Sequence, residues 1–443
     1  MGLFVTILIF LCCSAKKCVP LHLEMKRFVS ILLLVCSVQF AIGVFAQNNN
    51  AVAVGQTVDA KAVDRLRKAE VKKVLDDAKT NFKQNKNLDK TETAVRKLLA
   101  DSVNMRDKRL HATLIEALRK QYNQGNEKLY LKQKYDTAML FLLARKLFVA
   151  AQELDSVEAL PDAKGKVEFS HRKADAQLLM QLHGNLYTGG VFLLNHRKYA
   201  DAVNCIDLYL QSPEWPLMEG CLKVDSLHRQ HASYVSLVAG YRAENFTSAL
   251  KYEEDALKYR PRFETTLQYL TEIYHEQGNE KRNLELLQLG LDSFPTSRFF
   301  FSRLVDVYCN NGDFASALKV TSKTIEADST ALVPQIIHQT LLLNLSRYDE
   351  CIAMGEKLLA RNDSLADVNY NIALAYYNQT MGLDKGPANK RKENEKKLKC
   401  LYKKCRPYME RYRALEPDKK DRWRPVLYNI YLNLNMGKEF SEL

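Results

Sequence analysis

The sequence predicts an all-α protein built from repeated helix pairs. The 443 residues include only 17 glycines and 11 prolines, too few for the many tight turns of a large β-protein. Apolar residues recur at spacings of three and four, which is the period of an amphipathic helix. A pattern of apolar, aromatic and turn residues also returns at a constant interval along the chain, which indicates that one structural unit is copied.

The N-terminal residues have the three parts of a secretory signal and are therefore set apart from the fold. The basic start, the apolar stretch and the small-residue cleavage site occupy Lys26–Arg27, Phe28–Val44 and Ala46–Gln47. We expect residues 1–24 to lie upstream of the true start, residues 25–46 to form the signal peptide, and the mature chain to begin at Gln47. The alternative is an uncleaved anchor helix.

Charge and cysteine content fit an exported protein that is not a disulfide scaffold. Loss of residues 1–46 removes four basic residues and one acidic residue, so the net charge falls from +13 to +10. A basic exported chain favours anionic envelope surfaces over nucleic acid. Six of the ten cysteines remain, without the tight spacing of a small disulfide-rich domain: Cys205, Cys221, Cys309, Cys351, Cys400 and Cys405. One or two bridges among them stay possible.

The repeat is clearest between residues 230 and 380, where Pro261 and Pro295 mark one full interval of the pattern. Three successive units carry corresponding residues at this spacing. They are Leu267, Leu270, Tyr274, Gly278, Leu287, Gly290 and Leu291; then Phe301, Leu304, Tyr308, Gly312, Thr321, Thr324 and Ile325; then Gln335, His338, Leu342, Ser346, Leu358 and Leu359. Each unit has two apolar stripes of helical period, so each is a helix pair.

The turns and small residues explain how such a pair closes. A glycine such as Gly278 or Gly312 lets the chain reverse sharply between the two helices. A small residue early in the second helix, as at Ala249, Ala317 and Cys351, allows the helices to approach closely. One pair cannot bury both of its apolar stripes, so neighbouring pairs must stack.

These features resemble the tetratricopeptide repeat family. The resemblance covers the 34-residue spacing, the aromatic residue near the end of the first helix, the Gly-Asp-Phe turn at 312–314 and the small residue that follows. It implies a right-handed α-solenoid of stacked antiparallel helix pairs that acts as a protein-interaction scaffold. The order of motifs is similar to exported tetratricopeptide proteins of the Bacteroides group, which implies a periplasmic or outer-membrane-associated protein of a Gram-negative bacterium.

The same pattern sets the domain organisation. We expect an N-terminal linker with helices over residues 47–105 and an array of about six units over residues 106–443. Turn-rich or charged stretches interrupt the array and a last helix caps it, since an end repeat must present a polar face to solvent. The predicted insertions are 155–170, 211–222 and 381–397, and the predicted capping helix is 423–436.

In this family the inner face of each first helix lines a groove that binds peptides or protein segments. The matching positions here are Thr265, Gln268, Glu272 and His275; Phe299, Ser302, Asp306 and Cys309; Val333, Ile336, Thr340 and Leu343; and Tyr370, Leu374 and Tyr377. The Lys, Arg and Asn residues of the branch that clamps a terminal carboxylate are absent from these positions. The mixture favours an extended or helical partner segment. The alternative is that Val333, Ile336 and Leu343 simply pack against neighbouring helices.

Catalytic and metal motifs find little support. The sequence has no glycine-rich phosphate loop, no Gly-x-Ser-x-Gly and no His-Glu-x-x-His, so we expect no enzyme, no cofactor and no metal. His228 and His231 share a helix face, but no third ligand is near and a solvated face is the simpler interpretation. His275-Glu276 would end a first helix as groove lining rather than as an acid and base.

Two further features are ambiguous. The basic run from Lys385 to Lys404 is interpreted as a solvated loop and helix face, with contact to an anionic partner as the alternative. Cys400 and Cys405 point in different directions on one helix, so a bridge between them is not expected. The sequence thus predicts a scaffold that binds a protein segment; the alternative is an enzyme or ligand-binding protein with its site in the groove or under residues 381–397.

Overall fold

The structure, a computed structural model, describes residues 60–162, 164–383 and 391–443. All regular secondary structure in these ranges is helical, which confirms the predicted all-α class. The predicted signal peptide and the start of the basic run lie outside the described residues. No helix within the ranges is long and apolar enough to cross a bilayer.

Contacts divide the described chain into two compact units that meet in sequence between Gln277 and Gly278. The described part of the N-terminal unit holds ten α-helices: α1 Ala60–Gln84, α2 Leu88–Leu99, α3 Lys108–Tyr130, α4 Thr137–Glu158, α5 Arg172–Asn195, α6 Tyr199–Gln211, α7 Ser226–Arg242, α8 Phe246–Leu250, α9 Glu253–Lys258 and α10 Phe263–Glu276. Short 3-10 helices occupy Ser212–Glu214, Pro216–Met218 and Arg260–Arg262.

The C-terminal unit holds nine α-helices in its described part. They are α11 Glu280–Ser293, α12 Arg298–Asn310, α13 Phe314–Ala327, α14 Leu332–Asn344, α15 Tyr348–Leu359, α16 Ala366–Leu383, α17 Arg391–Leu415, α18 Lys420–Asn433 and α19 Gly437–Ser441. From α11 to α19 each helix packs against the next one along the chain, and contacts between α14 and α16 also join alternate helices.

The backbone repeats with the period that the sequence predicts. Residues with positive φ stand at the evenly spaced positions Glu244, Gly278, Gly312 and Ser346. The following second helices begin at Phe246, Glu280, Phe314 and Tyr348, with the same even spacing. The left-handed residue in every turn reverses the chain, so the 34-residue unit is a helix pair as predicted.

Side chains in these turns complete the second helices. The Asn279 side chain accepts a hydrogen bond from the Arg282 backbone N–H at 3.2 Å, and the Asp313 side chain accepts one from the Ser316 N–H at 3.0 Å. Each bond satisfies one of the helix N–H groups that has no partner within the helix. The polar residue after the turn glycine is therefore a helix cap, which is why the two occur together.

Each unit has its own apolar core. The core of the N-terminal unit runs through the facing sides of α3 to α7 and includes the fully buried Leu110, Leu114, Leu118, Leu147, Phe148, Leu179 and Leu186. The core of the C-terminal unit runs from α14 to α18 and includes Cys351, Ile372, Cys405, Met409, Tyr412, Leu427 and Ile430, all 0% exposed. Stacking of helix pairs thus buries the two stripes that a single pair leaves open.

Some boundaries differ from those expected. The helix α17 begins at Arg391, inside the predicted insertion, because the Lys- and Glu-rich stretch supports helix. The second helix of the 246–258 unit is divided into α8 and α9 around Tyr252, whose hydroxyl donates to Asp207 Oδ1 on α6 at 2.6 Å. The terminal cap comprises two helices, α18 and the short α19, rather than one over 423–436.

Candidate protein-binding face of the first helices

Four predicted groove positions lie on α12, and all are half-buried. The guanidinium of Arg303 lies 3.7 Å from the centre of the Phe299 ring, which is the distance of a cation–π contact. The Ser302 hydroxyl donates to the Phe299 carbonyl at 3.3 Å, so it is used within the helix. Burial, followed by the charge of Asp306, raises the pKa of the Cys309 thiol to about 11, so this cysteine is a poor nucleophile at neutral pH.

The row on α14 is more apolar and more open at its start. Val333 is 63% exposed and its neighbour Leu332 is 42% exposed, whereas Ile336 is half-buried. The Thr340 hydroxyl donates to the Ile336 carbonyl at 3.0 Å and accepts from Asn371 Nδ2 at 3.0 Å. The exposed apolar pair Leu332 and Val333 therefore lies on the same helix as Thr340, whose hydroxyl already has hydrogen-bond partners.

The last predicted groove residues contribute to the core. Leu343 is 7% exposed and Leu374 is 8% exposed, and both belong to the apolar cluster of the C-terminal unit. For Leu343, the interpretation of close packing is therefore the one that the structure supports. We exclude both leucines from the surface proposed below.

Helices α17 and α18 cover the two tyrosines of α16. The Tyr370 ring centre lies 4.7 Å from that of Tyr412, and burial raises the Tyr370 pKa to about 12. The Tyr377 hydroxyl accepts a hydrogen bond from Asn429 Nδ2 at 3.0 Å. Tyr370 and Tyr377 are thus half-buried, like the four positions on α12, and the one exposed predicted position in the described part of this unit is Val333 of α14.

In the N-terminal unit the predicted positions form a polar row on α10. Thr265, Gln268 and Glu272 are half-buried, and His275 is exposed. Gln268 Nε2 donates to Glu264 Oε1 at 3.4 Å. This row offers hydrogen-bonding groups but no exposed apolar side chain.

The two neighbouring histidines of α7 lie in a cluster of aromatic and polar side chains. The Tyr187 hydroxyl and His231 Nδ1 are 2.7 Å apart, and His228 Nδ1 lies 2.5 Å from Asp225 Oδ2. The Tyr259 ring centre lies 5.1 Å from that of His231. No group of three or more potential ligands occurs among the described residues. The interpretation of a solvated face is wrong for His231, which is half-buried because Tyr187 of α5 and Tyr259 pack against it.

A cluster of buried carboxyl groups at the junction of α4 and α5 has no counterpart in the sequence analysis. Asp155 pairs with both Nε and a terminal nitrogen of Arg172, at 2.6 and 2.9 Å, and Glu158 Oε1 lies 2.7 Å from His171 Nδ1. Asp175 is 9% exposed, and burial, together with the other two carboxylates, raises its pKa to about 6. In the sequence, the closely spaced acidic and basic residues around the predicted 155–170 insertion could have indicated this cluster.

The structure also gives the exposure of the basic run and of the cysteines that the sequence analysis singled out. Six lysines of α17 are exposed: Lys392, Lys396, Lys397, Lys399, Lys403 and Lys404. Lys397 Nζ pairs with Glu393 at 2.6 Å, an exposed contact of small energetic value. Cys400 is exposed and Cys405 is buried on the same helix, which agrees with the prediction that the two side chains point in different directions. All six cysteines of the described residues are free thiols. Cys351 is 0% exposed, as expected at the close-packing position.

Comparison with known proteins gives structural likenesses only. No known family model matches the chain, and no curated protein matches its sequence. One solved structure is MamA of AMB-1, at 19% identity over 43% of this chain and 93% of that chain, with a TM-score of 0.30. Another is the C-terminal part of a TPR repeat-containing protein from Cytophaga hutchinsonii, at 15% identity over 56% and 93%, with a TM-score of 0.31. Yeast Tom70 matches at 12% identity over 85% and 97%, with a TM-score of 0.27.

At these identities and TM-scores the likenesses carry no argument about activity. The assignment rests on the chain itself, whose turns, caps and second helices return at one constant interval. The protein is an all-α protein built from repeated helix pairs, whose turns and second helices return every 34 residues.

Proposed function

We propose that this protein is an exported protein-interaction scaffold and that it binds a segment of a partner protein across the first-helix face of α12 and α14. The observation that carries the proposal is the exposed apolar pair Leu332 and Val333, 42% and 63% exposed, at the start of a first helix. Burial of these two side chains against an apolar residue of a partner would favour association.

The chemistry of the face suits a mixed partner segment. On α14 the apolar side chains of Val333 and Ile336 can take an apolar residue of the partner. On α12 the Phe299 ring, held by Arg303, offers a flat aromatic surface. An extended or amphipathic helical segment with one apolar side and one polar side fits this combination.

Export would bring the scaffold to partners of the cell envelope. The support for this location is the sequence pattern of residues 25–46 alone. Fractionation of cells that express the full chain tests it: we expect a mature N-terminus at Gln47 in the periplasmic or envelope fraction. An uncleaved chain in the cytoplasm would contradict the proposed location without bearing on the binding face.

A photo-crosslinking amino acid at Leu332 tests the binding face in intact cells. We expect one discrete crosslinked product, which Val333→Glu abolishes because the charge opposes burial of the apolar pair. The matched control is Ala353→Glu, an exposed position on the second helix α15 of the same repeat. Absence of a discrete product, or equal products in both variants, would refute the proposal. Circular dichroism confirms that each variant is folded.

A further inference from the structure

A pocket of about 500 Å³ opens in the N-terminal unit where the end of α2, the start of α3 and the end of α4 meet. Its size falls within the range of about 300–1,000 Å³ that is usual for small-ligand sites. Much of the lining is apolar and comes from Leu99, Ala100, Met105, Leu114 and Val157. None of the predicted groove positions contributes to it.

His111 provides a buried hydrogen-bond acceptor in this lining. Its side chain is 5% exposed, and Nε2 lies 2.9 Å from the Met105 carbonyl oxygen. A carbonyl oxygen can only accept, so Nε2 carries the proton, and in this tautomer Nδ1 offers an acceptor lone pair. Nδ1 is buried and has no hydrogen-bond partner. A buried polar group without a partner in a native structure calls for an explanation, such as a missing ligand.

Two further acceptors of the lining are the Gln152 side-chain oxygen and the Glu153 carboxylate. Gln152 Oε1 is also buried without a hydrogen-bond partner. Glu153 is exposed beside it, and its carboxylate makes no ion pair within the described ranges. Arg96 is the one cationic side chain of the lining, and its Nε already donates to Glu92 Oε1 at 3.0 Å. The pocket therefore presents unsatisfied acceptors and a negative charge against an apolar wall.

We propose that this pocket binds a primary ammonium group carried on an aliphatic chain, either a free alkylamine or the lysine side chain of a partner. An ammonium group has three donors and no acceptor, so it satisfies His111 Nδ1 and Gln152 Oε1 while its charge pairs with Glu153. The methylene chain of the ligand covers the apolar wall, as the stems of buried lysines do.

Calorimetric titration of the full chain with n-hexylammonium chloride tests the ligand chemistry. We expect saturable binding that is at least tenfold tighter than that of sodium hexanoate, which has the same chain length but a carboxylate head. A short peptide with one lysine, compared with its Nε-acetylated form, distinguishes the sources: tighter binding of the unmodified peptide assigns the site to a partner's lysine. Equal binding of ammonium and carboxylate ligands, or binding of neither amine nor peptide, would overturn the proposal.

Variants of the lining separate ligand recognition from folding. Gln152→Leu removes the unpartnered acceptor at similar volume, so we expect at least tenfold weaker hexylammonium binding together with an unchanged or higher melting temperature. Glu153→Gln weakens binding and reduces its salt dependence. The matched control for Glu153→Gln is Glu127→Gln, which removes an exposed carboxylate of α3 outside the pocket lining and leaves binding unchanged. Full retention of hexylammonium binding in both Gln152→Leu and Glu153→Gln would refute the proposed site.

Discussion

Two alanines of α13 offer the sharpest test of the helix register. Ala317 is 0% exposed, whereas Ala315, two residues earlier on the same helix, is exposed. The corresponding position one repeat later is Cys351, also 0% exposed, so the repeat keeps a small residue there. Ala317→Leu adds three carbon atoms at a fully buried site, while Ala315→Leu adds them at an exposed one.

The expected magnitude follows from the cost of overpacking. Extra carbons in a filled core cost roughly 1–3 kcal/mol, and an exposed substitution changes stability by about 0.5 kcal/mol or less. A domain of this size loses about 2–4 °C of melting temperature per kcal/mol, which gives a decrease of roughly 2–12 °C for Ala317→Leu. Ala315→Leu should stay within about 2 °C of the parent.

Differential scanning calorimetry of the parent and the two variants, at one protein concentration and pH, measures this difference. Far-UV circular dichroism before heating confirms that all three have the same helix content. Equal melting temperatures for the two variants, or a larger decrease for Ala315→Leu, would show that the assigned register of α13 is wrong.

Three further predictions concern backbone, charge and thiol chemistry. Gly312→Ala should lower the free energy of unfolding by roughly 1 kcal/mol, because a φ of +72° is unfavourable for a residue with a Cβ. Ser346→Gly should raise it by a similar amount, because φ at this position is +59°. Urea unfolding measures both changes. Burial raises the pKa of Asp175 from 3.8 to about 6, so its contribution to stability is lost as pH rises through that interval. Asp175→Asn should therefore exceed the parent by roughly 1 kcal/mol at pH 7 after allowance for solvent screening, with the gap closing at pH 4. Iodoacetamide should modify exposed Cys400 before buried Cys405, whose pKa burial raises to about 12, and mass spectrometry of timed samples checks the order.

The predictions made from sequence succeeded where local chemistry decides the outcome. The turn residues Gly278 and Gly312 were predicted to precede second helices, and the structure places them there with positive φ. These features depend on backbone geometry within a few residues, which a sequence states directly. The division of the second helix into α8 and α9 was not predicted, and Tyr252 at the break contacts Asp207, 45 residues earlier, a contact that local sequence does not show.

The first-helix face also combines a property that the sequence predicts with one that it does not. Sequence spacing selects one side of each first helix, but it cannot tell whether another helix covers that side. Val333 is exposed, whereas Leu343, further along the same helix, is buried in the core. Tyr370 and Tyr377 are covered by residues of α17 and α18, a difference that periodicity alone does not reveal.

The sequence by itself therefore determined the all-α class, the repeating unit and the turn that closes it, because apolar period, glycine freedom and capping act over short distances. Only the tertiary structure decided which faces stay open, brought Asp155, Glu158 and Asp175 together, and left His111 Nδ1 and Gln152 Oε1 without partners. Those properties arise from the packing of helices that are distant along the chain, and burial and hydrogen-bond satisfaction are set only when the helices meet.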